Sequence, residues 1–259
     1  MLVKLTLLIF VIAIVLGFAG GLVDNSFGMG YGIISMVLIL LDFSLLVIVP
    51  TLLLSQATTG LTGALFHYLY KNFDFKTKES TERRVFVLFT ILGTIGSLIA
   101  IFLVFTVPEN IVMTYIGMMM IGIGLLVLFN IKMNDSLLNF FLIGTLAGFN
   151  KAISGGGYGP LITSGQILSG TEIRKAVGVT QLSESLLSIL GFILYSIFNN
   201  FSQVILTIQL AIIMVISGVI SAPLGSYLAR KLKDKTAKAM VGILSISLGI
   251  MGLVKLMLL

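Results

Sequence analysis

The stretch Gly148-Phe149-Asn150-Lys151-Ala152-Ile153-Ser154-Gly155-Gly156-Gly157-Tyr158-Gly159-Pro160 decides how this chain is read. It sets three consecutive glycines and a lysine between two apolar runs, 137–149 and 159–169, that carry no charge. A helix meeting Gly-Gly-Gly is broken, because glycine loses the most freedom in helical order. The run that follows is too short to cross a bilayer core, which takes about 20 helical residues.

A related stretch stands 127 residues earlier: Gly21-Leu22-Val23-Asp24-Asn25-Ser26-Phe27-Gly28-Met29-Gly30-Tyr31-Gly32. Between 17–32 and 144–159, six of sixteen positions are identical: Gly17/Gly144, Gly21/Gly148, Gly28/Gly155, Gly30/Gly157, Tyr31/Tyr158 and Gly32/Gly159. At the same offset Ser44 meets Thr171, Tyr68 meets Tyr195, and Gly122 meets Gly249. Asp24 stands opposite Lys151.

The composition says what solvent surrounds these breaks. Hydrophobic residues make up 58% of the 259 positions and charged ones 10%, against roughly 45–50% and about 25% in a soluble domain. The mean hydropathy is +1.15. A water-soluble particle, a disordered chain and a collagen are excluded. The absence of cysteine removes a disulfide scaffold, thiolate metal sites, iron–sulfur clusters and thiol nucleophiles. The chain reads as all-α and polytopic in a membrane.

Apolar runs divide it into two halves. The first, 1–131, holds a helix at 2–22, a break at 23–30, a short helix at 31–41, and helices at 45–70, 85–106 and 111–130. The second, 132–259, holds a hairpin at 137–169 broken over 150–158, then helices at 173–198, 204–228 and 239–258. Each half is thus a glycine-broken helical hairpin followed by three transmembrane helices, and the halves together form one unit. Lys4 with the apolar run after it resembles a signal peptide. Its continuation into the repeated glycine motif makes residues 1–22 part of the mature structure.

The net charge of +6 is concentrated, with ten of the sixteen Lys/Arg within 71–84 and 229–238. Such short basic loops mark the cytoplasmic side of a membrane and are too small to form a nucleic-acid groove. Their counterparts in the other half, 198–211 and 102–111, hold no Lys or Arg. Loops equivalent by sequence therefore belong on opposite faces, which makes the two repeats inverted in topology. Counting from there, 131–136 lies inside and 137–169 must enter and leave on the inner face, as a re-entrant hairpin. The first hairpin then enters from the outer face, although residues 2–22 are long enough for a full crossing.

Irregular backbone at membrane depth must be covered by protein or line a wet cavity, so both breaks belong near the midplane. Two half-helix N-termini aimed at one cavity present free N–H donors and partial positive charge, which suits an anion. Asn25, Gly28, Gly30, Asn150, Lys151, Ser154, Gly155, Gly156 and Gly157 are the candidate substrate contacts. Lys151 either meets the substrate or pairs with Asp24 across the repeat. Asp24, Gln56, Thr180, Ser183 and Glu184 are candidate coupling or gating residues, with a proton as the candidate ion, because a charge inside a membrane is expensive. Glu184 either relays protons or pairs with a basic side chain. His67, just before Lys71, reads as interfacial, Met118-Met119-Met120 as packing, and Asp42 and Glu172 as solvated. No metal site or cofactor is expected, since one histidine and no His/Glu cluster supply too few ligands. No nucleotide-binding motif is present.

These motifs resemble those of the sulfite exporter TauE/SafE family, with 21–32 matching its first-half signature and 148–160 its second. Arg174-Lys175-Ala176-Val177-Gly178, Ser183-Glu184, His67 and Asn72 fit a pattern within the family, and the likeness spans essentially the whole chain. The resemblance implies a multi-pass protein of a prokaryotic cytoplasmic membrane. It further implies a secondary transporter that exports a small sulfur-containing anion such as sulfite, sulfoacetate or another organosulfonate. The partners are then that anion and the lipid bilayer, with the oligomeric state open. An anion channel, a subunit of a larger complex, and an intramembrane enzyme using Ser154 or His67 are the alternatives.

Overall fold

The computed structural model describes residues 7–75, 80–104, 106–129, 137–198 and 203–258. Among them run ten α-helices and no strand: α1 (Leu7–Phe27), α2 (Gly30–Leu40), α3 (Leu45–Leu69), α4 (Thr81–Val104), α5 (Glu109–Leu128), α6 (Leu137–Ser154), α7 (Tyr158–Leu168), α8 (Ile173–Phe198), α9 (Val204–Lys231) and α10 (Asp234–Leu258). Six of them (α1, α3, α4, α5, α8 and α9) are long and apolar enough to cross a bilayer. The polar piece 131–136, part of the loop 71–84, Lys4 and most of the turn 199–203 lie outside the described residues.

The hairpins are tighter than the sequence suggests. The breaks expected over 23–30 and 150–158 shrink to Gly28-Met29 between α1 and α2 and to Gly155–Gly157 between α6 and α7. Nothing from Val23 to Phe27 or from Asn150 to Ser154 forbids a helix. Asn, Asp and Ser lose only a few tenths of a kcal/mol there, about 0.5 each, and packing overrides that. The chain turns where left-handed backbone is required, at Gly28 and Gly155, each with φ of +75°. Asp24 and Asn25 therefore sit in the last turn of α1, and Asn150, Lys151 and Ser154 in the last turn of α6.

Helix packing follows the repeat. α1 packs on α9 and α6 on α4, while α3 packs on α8 and α5 on α10. α3 also packs on α9 and α8 on α4, and α2 touches α10 as α7 touches α5. Replacing each helix by its counterpart in the other half turns every one of these pairs into itself or into another of the set. Where counterparts meet they run antiparallel. Leu53 lies by Gly191, Gly60 by Ser185 and His67 by Gly178 along α3 and α8, and Gly117 lies by Leu253 and Gly124 by Ile246 along α5 and α10. The close crossings use small residues, as membrane helices do without a hydrophobic drive between them: Gly21 on Gly218, and Gly148 against the backbone of Gly93. Apolar side chains such as Phe102, Ile205, Ile216 and Ile220 are exposed on the outside of the bundle.

Contacts sort the helix ends into two groups. At one end Lys175 pairs with Glu82 (3.2 Å), Arg230 donates to the Tyr70 carbonyl (3.3 Å), and Asn72 donates to the Ser226 carbonyl (3.0 Å). This end collects Lys71, Arg83, Arg84, Arg174, Lys175, Arg230, Lys231, Lys233 and Lys235. Arg174 also donates to exposed Glu172 (2.6 Å), a hydrogen bond that holds this carboxyl below its ordinary range. The opposite end holds exposed Asp42, paired with Lys255 (2.8 Å), beside a cavity of about 520 Å³ that also touches Ser44 and Asn110. Lys255 further caps α2 by donating to the Ile39 carbonyl.

Candidate functional site

The two hairpin tips meet in the middle of the bundle. The α-carbon of Gly159 faces the Gly28 carbonyl, Gly156 abuts the backbone of Tyr31 and Gly32, and Gly28 lies against Thr163. A Cβ added at Gly159 would come within 1.9 Å of that carbonyl oxygen, so the approach requires glycine. Each hairpin also holds the other by polar contact, as in the hydrogen bond from Ser35 Oγ on α2 to the Ser154 carbonyl that ends α6 (2.9 Å).

Around the tips lies a chain of buried polar groups. Asp24 Oδ1 accepts from the Gly30 amide (2.8 Å), the first N–H of α2, so the helix N-terminus is capped by a carboxylate of the chain itself. Asp24 Oδ2 accepts from Gln181 Nε2 (2.7 Å) and Gln56 Nε2 (3.2 Å). Gln181 Nε2 also caps α1 through the Asp24 carbonyl (2.8 Å). The other end of the Gln56 carboxamide, Oε1, accepts from Lys151 Nζ. Lys151 forms a buried ion pair with Glu184 Oε1 (3.0 Å) and lies over the Tyr31 ring, 5.7 Å from its centroid. Asp24, Gln56, Lys151 and Glu184 are each at most 1% exposed.

The direct pair with Asp24 expected for Lys151 does not form. Its ion pair is with Glu184 on α8, and it reaches Asp24 only through Gln56. Residues at equivalent positions in α1 and α6 are joined through Gln56 of α3, while α8 supplies Gln181 to Asp24 and Glu184 to Lys151. Two carboxylates and one ammonium give this cluster a formal charge of −1 when all three are ionised. The purely electropositive pocket that the glycine motifs suggest is accordingly modified: Asp24 occupies the α2 N-terminus. Glu184 Oε2 faces Gly159 in the first turn of α7, 3.2 Å from where a Cβ would stand.

The remaining expected residues divide. Asn150 Oδ1 accepts from Tyr115 (2.6 Å), leaving Nδ2 buried and without a partner, and Ser154 Oγ accepts from the Gly156 amide (3.2 Å). Asn25 Nδ2 donates to the Gly21 carbonyl (2.8 Å), and its Oδ1 is a buried acceptor without a partner. Thr180 and Ser183 do not join the Asp24–Glu184 chain. They anchor α7 instead, Thr180 to Thr163 (3.2 Å) and Gln166 (3.1 Å), and Ser183 to the Tyr158 hydroxyl (3.1 Å). Tyr31, at the equivalent position in α2, bonds Ser55 (2.9 Å) and Thr59 on α3.

His67 lies in the last turn of α3, at the basic end, and is fully buried. Asn72 Nδ2 donates to its Nδ1 (2.8 Å), so the proton sits on Nε2 and is donated to the Asn25 carbonyl (2.9 Å) at the end of α1. Phe73 and the end of α9 cover this turn of α3, which sequence adjacency to Lys71 does not convey. Gln181 is the residue that sequence reasoning misses. Its signal is a carboxamide one turn before Glu184 in an apolar helix. Among the described residues no group of three or more His, Cys, Asp or Glu could hold a metal ion.

Comparison with known proteins agrees with this architecture. The family pattern described as sulfite exporter TauE/SafE matches residues 13–252. The probable membrane transporter protein YtnM of Bacillus subtilis (strain 168) is 25% identical over 244 residues, which cover 88% of this chain and 77% of that protein. No solved structure matches. A match over nearly the whole length, on a helical bundle whose paired glycine hairpins meet at its centre, makes this chain a membrane transporter of the sulfite exporter TauE/SafE family.

Proposed function

We propose that the protein exports a small sulfur-containing anion (sulfite, sulfoacetate or another organosulfonate) from a prokaryotic cytoplasm by alternating access. Its halves, 1–131 and 132–259, act as inverted repeats, with the basic end of the bundle cytoplasmic. The substrate binds at the midplane where the tips meet, on Lys151, Asn150, Ser154, Gly155–Gly157 and the Asn25–Gly30 turn. Glu184 is the candidate coupling residue, linked to Asp24 through Lys151 and Gln56.

The observation that carries this reading is the contact of two broken hairpins, one from each half, around a buried ammonium. Discontinuous helices at a repeat interface are how many secondary transporters build a site. The antiparallel packing of α3 on α8 and of α5 on α10 supports the inversion. The concentration of Lys and Arg at one end, against Lys255 at the other, supports the orientation. Complete burial of the tips favours a carrier opened from alternate sides over a pore open from end to end.

The test is uptake of radiolabelled sulfite and sulfoacetate into inverted membrane vesicles, with and without an uncoupler. Saturable uptake above that of vesicles lacking the protein is expected. Absence of flux for every sulfur oxyanion tried would overturn the reading.

A further inference from the structure

Building on the transport reading, we propose that Glu184 and the transported anion hold Lys151 in turn. Each monovalent anion then enters the site together with one proton, and the loaded carrier moves no additional net charge.

The geometry leaves Lys151 little choice. It is the one buried Lys or Arg among the described residues. An ammonium has three donors: one goes to Glu184 Oε1, one to Gln56 Oε1, and the Tyr31 ring lies over the same ammonium. Lys151 is only 1% exposed, so an anion reaching its ammonium displaces a partner. Gln56 is neutral and its far end is committed to Asp24. Glu184 is the anionic partner, and its second oxygen, Oε2, is buried without a hydrogen bond.

Charge then sets the stoichiometry. Asp24 faces only N–H donors, from Gly30, Gln56 and Gln181, which suits an ionised carboxylate. With Glu184 also ionised, the empty site already carries −1. An added anion would make it −2 in a medium where each uncompensated ion costs several kcal/mol. A proton on Glu184 returns the loaded site to −1.

The groups facing Glu184 allow this exchange. α6 brings Lys151, α1 brings Asp24, and the Tyr31 and Tyr158 hydroxyls of α2 and α7 feel its charge. α3 contributes neutral Gln56 there, and its His67 lies level with Gly178, well along α8. The charged residues of α4 and α9 (Glu82, Arg83, Arg84, Arg230 and Lys231) are at the helix ends. In the exchange the hydrogen bond from Lys151 to Glu184 breaks and one from Lys151 to a sulfonate or sulfite oxygen forms. The proton comes from the water of the open side and ends on the Glu184 carboxylate, and release reverses each step.

Isethionate, a monoanion of a strong acid that brings no titratable proton of its own, is the probe, with sulfite beside it. Calorimetric titration of the purified protein at mildly alkaline pH, in two buffers of different ionisation heat, counts protons taken up per anion bound. Wild type should take up one proton per isethionate. Glu184→Gln, with Lys151 freed, should take up none and bind several-fold tighter. In proteoliposomes, wild-type isethionate flux should ignore a valinomycin-imposed potential, and that of Glu184→Gln should follow it. Wild-type binding without proton uptake, or flux driven by the potential, overturns this inference alone and decides it even if Glu184→Gln does not fold. Neither binding nor flux of isethionate or sulfite by folded wild type overturns the transport reading as well.

Discussion

Asp24 and Lys151, 127 residues apart and equivalent in the two halves, are joined through one carboxamide: Gln56 donates to Asp24 (3.2 Å) and accepts from Lys151. Residues of opposite charge thus stand at the same position of two similar hairpins. The mismatch is absorbed by α3 and α8, whose side chains differ at the level of the tips. Two hairpins that turn at glycines of the same φ are made chemically different at their tips.

If Gln56 is the bridge, Gln56→Leu should lower stability by about 2–6 kcal/mol, because two buried hydrogen bonds to charged groups are lost at about 1–3 kcal/mol each. Thermal unfolding in detergent measures it. A change within about 0.5 kcal/mol would mean that Asp24 and Lys151 do not depend on this carboxamide.

For the ion pair, Lys151→Met alone should cost about 3–5 kcal/mol, since it strands Glu184, whereas Lys151→Met with Glu184→Gln should recover most of that loss. A double-mutant cycle on unfolding midpoints reads the coupling. Additive effects would contradict a direct pair.

The turns make a graded prediction. Gly28→Ala and Gly155→Ala both place a Cβ at φ +75°, at about 1–2 kcal/mol each. Gly28→Ala should be worse, because its Cβ would fall 2.2 Å from Thr163 Oγ1, against 3.1 Å from Leu52 at Gly155. Adding Thr163→Gly should relieve part of the Gly28→Ala defect and none of the Gly155→Ala defect. Relative expression and unfolding temperature are the readouts.

Helix crossings offer a control. Gly96→Ala would drive a Cβ to 1.9 Å from the Thr145 carbonyl and should cost about 1–3 kcal/mol. Gly122 has nothing within 4 Å of an added Cβ, so Gly122→Ala should be neutral or stabilising by up to about 1 kcal/mol. Equal effects at the two sites would contradict the packing of α4 on α6.

Much of this was legible in the sequence, and the exceptions have physical causes. The hairpins could be read because Gly28 and Gly155 are backbone requirements, and such requirements are local. The extent of the breaks could not, because Asp24, Asn25, Asn150 and Lys151 tolerate either helix or turn and tertiary packing decides. The partner of Lys151 depended on which of two carboxylates on different helices comes within reach. The burial of His67 could not be read beside Lys71, because it depends on α9, whose Ser226 meets Asn72 and Gly63. The role of Gln181 needed the three-dimensional path of α1, whose last turn it caps.

Orientation is open to labelling, because the chain has no cysteine and single cysteines can be introduced without background. Cysteines replacing Lys71 and Lys233 should react with a membrane-impermeant maleimide only from the cytoplasmic side, and those replacing Asp42 and Asn110 only from the outside. Reaction of both sets from one side would contradict the inverted arrangement.

The most direct measurement is a density map of the protein loaded with sulfite. It should show the anion between the hairpin tips, within hydrogen-bonding distance of Lys151 Nζ and the first turn of α7, with Glu184 turned away. Sulfite bound elsewhere while Gly28 and Gly159 stay in contact and Lys151 stays on Glu184 would contradict the account.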